Sequence, residues 1–88
     1  NEPQTVRLKV AAVQRKYFRT LPLHHSQQEV ETSEEYSIFE LHVALTVELV
    51  MQILYYGSLV EVLEPQELRA AVADEAFRLY DVYIDEDE

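Results

Sequence analysis

An α+β fold, with an antiparallel sheet covered by helices, is predicted for this 88-residue chain by three features of its sequence. Apolar and polar residues alternate in several short stretches, the period of half-buried strands. Between and after those stretches the apolar spacing widens to three and four, the period of amphipathic helices. Pro22, Gly57 and Pro65 stand where the period changes, and each breaks or caps an element for its own stereochemical reason.

Thr5 to Ala12 alternates strictly, with Val6, Leu8 and Val10 on one side and Arg7 and Lys9 on the other, which predicts a strand. From Val13 to Leu21 the spacing turns helical, with Val13, Tyr17 and Leu21 in register, and Pro22 bars continuation. Gln27 to Thr32 predicts a polar strand with one candidate for burial, Val30, and Ser33-Glu34-Glu35 predicts the turn of a hairpin. The longest strand is expected over Tyr36 to Thr46, with Phe39, Leu41, Val43 and Leu45 inward and Ile38, Glu40, His42 and Ala44 outward. Val47 to Tyr56 follows as a short helix with Leu49, Val50, Ile53 and Leu54 as its stripe, and Gly57 suits a left-handed cap. Leu59 to Leu63 is the last strand. Pro65 is expected at the first position of a final helix, where its missing N–H costs nothing, with Leu68, Val72, Glu75, Ala76, Leu79 and Tyr83 along or beside one face.

The order βαββαβ plus a terminal helix predicts a ferredoxin-like antiparallel sandwich with an added C-terminal helix. In that arrangement the first strand lies between the third and fourth, and its outward Arg7 and Lys9 meet Glu40, His42 and Glu61 on the uncovered face. Residues 1–84 are expected to form one domain, and the run Asp85-Glu86-Asp87-Glu88 a solvated, disordered tail.

Composition excludes several function classes. Seventeen acids against seven bases give a net charge of −10, which argues against general binding of polyanions. The charge is uneven: residues 1–25 carry +4 and residues 26–88 carry −14. With no cysteine there is no disulfide, thiolate nucleophile or Cys-ligated metal, and one glycine rules out the glycine-rich loops that cradle phosphates. No apolar run approaches the ~20 residues that span a bilayer, and no signal-peptide pattern is present. The chain opens on Asn1 rather than Met and so reads as a piece of a longer protein.

The segment Gly57-Ser58-Leu59-Val60-Glu61-Val62-Leu63-Glu64-Pro65, with Leu68-Arg69, Val72 and Tyr80 after it, resembles the C-terminal extension, or WCX-type, domain of WYL-domain bacterial transcriptional regulators. The helix Glu48-Leu49-Val50-Met51-Gln52-Ile53-Leu54, the strand Val6 to Val10 and the pair Gln27-Gln28 fit the same pattern, so the likeness runs from about Thr5 to Tyr83. The Trp often found in the family's second helix and the Gly of its central hairpin are missing. The resemblance implies a cytoplasmic parent that binds promoter DNA through an N-terminal helix-turn-helix domain and senses a ligand through a WYL domain. It also implies that the extension aids homodimer assembly and effector response. Neither of the two preceding domains lies in this sequence.

Chemistry-bearing residues offer no catalytic constellation. Adjacent His24 and His25 on an extended loop are expected to point apart, and His42 sits on a strand, so no metal site or cofactor is predicted. Ser26 or Ser37 beside a His and an Asp is a pattern almost any chain contains, and Glu34-Glu35 falls in an exposed turn where nothing raises a pKa. The chain therefore reads as a non-enzyme. Arg15, Lys16 and Arg19, followed by His24 and His25, form the best candidate contact for a ligand or an adjoining domain; the competing reading is a solvated face paired to the chain's own acids. Tyr55, Tyr56, Phe77, Tyr80 and Tyr83 are candidates for a dimer contact, since such aromatics are enriched at interfaces, and the competing reading is core packing. Two rival functions stand beside the regulator reading. One is a small-molecule sensor of the paired ferredoxin-like, ACT type, against which glycine poverty counts. The other is a weak nucleic-acid module, against which the missing RNP pattern and Glu40 count.

Overall fold

Strand β1 (Gln4–Ala11) buries Val6, Leu8 and Val10 completely, as its alternation dictates, and the sheet is built around it. The structure is a computed structural model and describes residues 2–85; of the expected tail 85–88, Asp85 ends the last helix rather than lying in a disordered tail, and 86–88 lie outside the described residues. After β1 come α1 (Ala12–Thr20), β2 (Gln28–Thr32), β3 (Tyr36–Val43), α2 (Val47–Tyr55), β4 (Val60–Glu64) and α3 (Gln66–Asp85), with a 3-10 turn at Gly57–Leu59. The four strands form one antiparallel sheet in the order β2-β3-β1-β4, so β1 lies between β3 and β4 as expected.

One face of the sheet carries the core. Val6, Leu8 and Val10 of β1, Phe39, Leu41 and Val43 of β3, and Val60 and Val62 of β4 pack against Phe18 of α1, Leu49 and Ile53 of α2, and Leu68 of α3. Burial of those side chains supplies the main stabilisation, about 1.5–3 kcal/mol for each large one relative to exposure. On the other face Arg7 stands directly across from Glu40 and the two form an ion pair at 2.6 Å. Lys9 stands across from Glu61 and places its Nζ 4.8 Å over the Tyr36 ring. His42 lies opposite Thr5 and away from these cations' direct partners. Ile38, expected to be exposed on this face, is only 4% exposed because Lys9 and Glu31 flank it on the two neighbouring strands.

Loop and cap chemistry fixes the element ends. The first amide of α1, Ala12 N–H, donates to the Glu35 carbonyl of the hairpin turn (2.9 Å), tying the helix start to that turn. At the other end Gln27 donates from Nε2 to the Phe18 carbonyl (2.9 Å) and accepts at Oε1 from Leu23 N–H (2.9 Å). One side chain thereby satisfies a carbonyl that the helix itself leaves open. Thr46 caps α2 by accepting from Leu49 N–H (3.1 Å). Gly57 has φ of +60°, the left-handed conformation predicted for it. Pro65 stands one residue earlier than expected: its carbonyl accepts from Arg69 N–H, so it precedes the first helical residue, Gln66.

One expectation about facing is corrected, and the buried face of α1 is settled. Val30 is 45% exposed rather than buried, because it is the extra residue of a β-bulge between Glu29 and Glu31. The bulge puts Glu29 opposite Phe39 and Thr32 opposite Ser37, so Glu29 and Thr32 both point to the helical side. In α1 the residue that reaches the core is Phe18, whereas Val13, Tyr17 and Leu21 are exposed. Phe18 stacks against Phe39 at 5.0 Å and edge-on to Tyr56 at 5.3 Å, and this aromatic anchor sets the helix's rotation.

Candidate functional site

The bulge on β2 gathers a dense polar network around Glu29. Glu29 accepts two bonds from Arg19, at 2.7 and 2.8 Å, in bidentate geometry, and two more from Thr32 (2.8 Å) and Ser37 (2.6 Å). Ser37, fully buried between apolar neighbours of β3, accepts in turn from Arg15 (3.0 Å), whose other guanidinium nitrogen bonds the Glu34 carbonyl (3.1 Å). The Arg19 bond lowers the Glu29 carboxyl from 4.5 to about 2 against the cost of its partial burial, and the Ser37 and Thr32 hydroxyls add to the same direction. Two of the three α1 cations are thus clamped onto the β2–β3 hairpin. Lys16 is exposed and makes no ion pair among the described residues.

The histidines fold into a turn of their own. The His24 and His25 rings stack at 4.1 Å rather than pointing apart, because His24 Nδ1 is held by Ser26, through its hydroxyl at 2.8 Å and its amide at 3.1 Å. The Ser26 hydroxyl also accepts from His42 N–H (2.8 Å) and ties the loop to β3. Among the described residues no group of three or more His, Asp or Glu side chains could hold a metal ion. Among the described residues no side-chain hydrogen bond joins the His pair to Arg15, Lys16 or Arg19; internal bonds engage Arg15, Arg19 and His24.

Apolar side chains left in water are the more telling feature. α3 is anchored at its start, where Leu68 is 1% exposed and Arg69 bonds Glu61 (2.9 Å) and the Val62 carbonyl (2.7 Å). Val72 and Glu75 are half-buried, and beyond them every residue from Ala76 to Ile84 is exposed. That stretch contains Phe77 (66% exposed), Leu79, Tyr80, Val82, Tyr83 and Ile84. Only a narrow stripe through Asp74, Arg78 and Asp81 is charged, so this half of the helix is apolar around most of its circumference. The aromatic candidates consequently divide. Tyr56 packs on Phe18, and burial followed by its Tyr55 and Tyr17 neighbours raises its phenol pKa; Tyr55 stands edge-on to it and 80% exposed; Phe77, Tyr80 and Tyr83 stay on the free half of α3.

A second apolar surface lies on the helical layer. Val13, Tyr17, Tyr55, Tyr56 and Leu59 line an open groove between α1 and α2, with Gln14 at its side. It continues past Tyr55 and Tyr56 to Met51 and Leu23. The sequence gives a sign of it in the 13-17-21 register, which is a genuine helical stripe that the core does not use. No helix of the described residues is long and apolar enough to cross a membrane.

The described residues thus form a small α+β domain with clamped charges and two exposed apolar surfaces. Residues 2–80 match the WCX domain family, and the chain belongs to that family. The family points to a regulatory domain of WYL-type regulators. No curated protein matches the chain.

Proposed function

We propose that this chain is the non-catalytic regulatory and assembly domain of a cytoplasmic, DNA-binding WYL-type regulator, and that it assembles as a homodimer. The observation that carries the reading is the free half of α3, where six large apolar side chains are exposed. Contiguous apolar surface of that kind on a folded domain marks a site of protein association. Strand order β2-β3-β1-β4 with the helices on one face supports a ferredoxin-like sandwich as the platform. The Arg15 and Arg19 clamp and the Arg7–Glu40 pair leave little free positive charge, which disfavours the nucleic-acid reading. In the parent the domain acts through binding equilibria: contacts it makes in one arrangement and not the other bias the DNA-binding arms. Sedimentation equilibrium tests the assembly step. The wild-type chain sediments as a dimer and the variant Phe77→Asp with Tyr80→Asp as a monomer of unchanged far-UV circular dichroism. A wild-type chain that stays monomeric at its highest soluble concentration contradicts the reading.

A further inference from the structure

We propose that two copies exchange the free halves of their α3 helices, each arm lying in the groove between α1 and α2 of the other copy. The inference rests on the dimer reading above and names the surface that covers the arm. Three observations select that groove and a second copy as its source.

Size comes first. The arm, residues 77–84, is two turns long, about 12 Å, and the nine-residue helices α1 and α2 that wall the groove are each about 14 Å. The arm cannot reach its own groove, because α3 runs unbroken from Gln66 to Asp85 with no Gly or Pro to bend it back, and Leu68 pins its first turn. Charge is the second. α1 carries three bases and no acid, while residues 74–84 carry Asp74, Glu75 and Asp81 against Arg78. Lys16, the α1 cation whose side chain makes neither an ion pair nor a hydrogen bond among the described residues, is free to meet an arm carboxylate at the rim.

Area is the third. The chain exposes 6159 Å², against about 5,400 Å² for a compact monomer of this mass. The excess, about 800 Å², is of the size that one partner contributes to a standard stable interface, and the exposed arm is where the described residues leave large apolar side chains uncovered in one run. The radius of gyration, 13.8 Å, likewise exceeds the ~12 Å of a compact chain of this length. Because arm and groove lie on the same chain, one two-fold axis satisfies both arms and both grooves and closes the assembly.

Site-directed cross-linking tests the exchange, and the absence of native cysteine makes it clean. The variants Tyr17→Cys, in the middle of the groove, and Tyr80→Cys, in the middle of the arm, are made separately, one of them with a mass tag. They are mixed, allowed to exchange subunits and treated with a short bismaleimide. The expected result is a tagged–untagged cross-link in the mixture, with each variant alone giving little. Cross-linking of Tyr80→Cys alone as strong as in the mixture shows arms pairing with each other; it overturns the exchange and leaves the dimer standing. A chain that sediments as a monomer overturns both. Independently, Tyr55→Glu in the groove is expected to raise the dimer dissociation constant at least tenfold, as Phe77→Asp in the arm does. An unchanged constant for Tyr55→Glu beside a raised one for Phe77→Asp contradicts the groove assignment.

Discussion

Phe18 and Phe77 sit on helices of the same small domain, and they meet opposite fates. Phe18 is fully buried against Phe39 and Tyr56, and around it the charges are clamped and the helix ends capped. Phe77 is exposed among apolar neighbours on a helix that has left the sheet behind. Both surroundings are rich in apolar side chains. What separates them is reach: four strands and two nine-residue helices cover the first turns of α3 and no more. A pattern of apolar residues therefore states that a surface wants cover, and the size of the scaffold decides whether the cover comes from the same chain.

The contrast predicts unequal costs for equal truncations. Phe18→Ala should cost about 3–5 kcal/mol, much of a small domain's stability, and leave the chain largely unfolded in urea titrations near room temperature. Phe77→Ala should change the stability of the dilute monomer by no more than about 0.5 kcal/mol. Comparable losses at the two positions would mean that Phe77 has cover within its own chain.

The next largest effect belongs to the network under the bulge. Glu29→Gln removes the charge that accepts from Arg19, Ser37 and Thr32, and about 1.5–3 kcal/mol is expected for a charge-assisted arrangement of that kind. Its pH signature has a definite sign. The folded-state carboxyl titrates at about 2 rather than 4.5, so as pH falls below 4.5 the unfolded chain takes up this proton first. The stabilisation is complete above pH 4.5 and is lost as pH falls towards 2. Thermal melts between pH 6 and pH 2 should converge for wild type and Glu29→Gln as the acid limit is approached. Curves that stay parallel would place the Glu29 contribution elsewhere.

Gly57→Ala comes below that, at about 1 kcal/mol. A Cβ there meets nothing within 4 Å, so the cost is the left-handed backbone alone, φ +60°. Arg7→Ala and Glu40→Ala on the uncovered face are smallest. Their double-mutant coupling should lie in the range of about 0.2–1 kcal/mol, because both side chains remain about a third exposed and the pair is screened by salt.

Much of the sheet was legible in the sequence, because period two names a face without ambiguity. Val6, Leu8 and Val10 and Phe39, Leu41 and Val43 lie inward as their alternation requires, and Gly57 takes the predicted conformation. Facing failed where one residue of register decides it. The bulge at Val30 turned Glu29 inward, and its only sequence sign was a strand too polar for its place. The 13-17-21 register names helix α1 but not its buried face, because one Phe18 ring that fits between Phe39 and Tyr56 outweighs three side chains that the core does not use. The aromatic candidates divide between a packed Tyr56 and an exposed Phe77, Tyr80 and Tyr83, because spacing does not tell where a helix outruns its sheet.

The central claim, that the free half of α3 is covered only by association, is tested most directly by native-state hydrogen exchange at two protein concentrations. Amides of residues 77–84 should be weakly protected in dilute protein and gain protection as concentration rises, while those of Val6 to Val10 stay protected at both. Protection of residues 77–84 that is strong and independent of concentration would contradict the account.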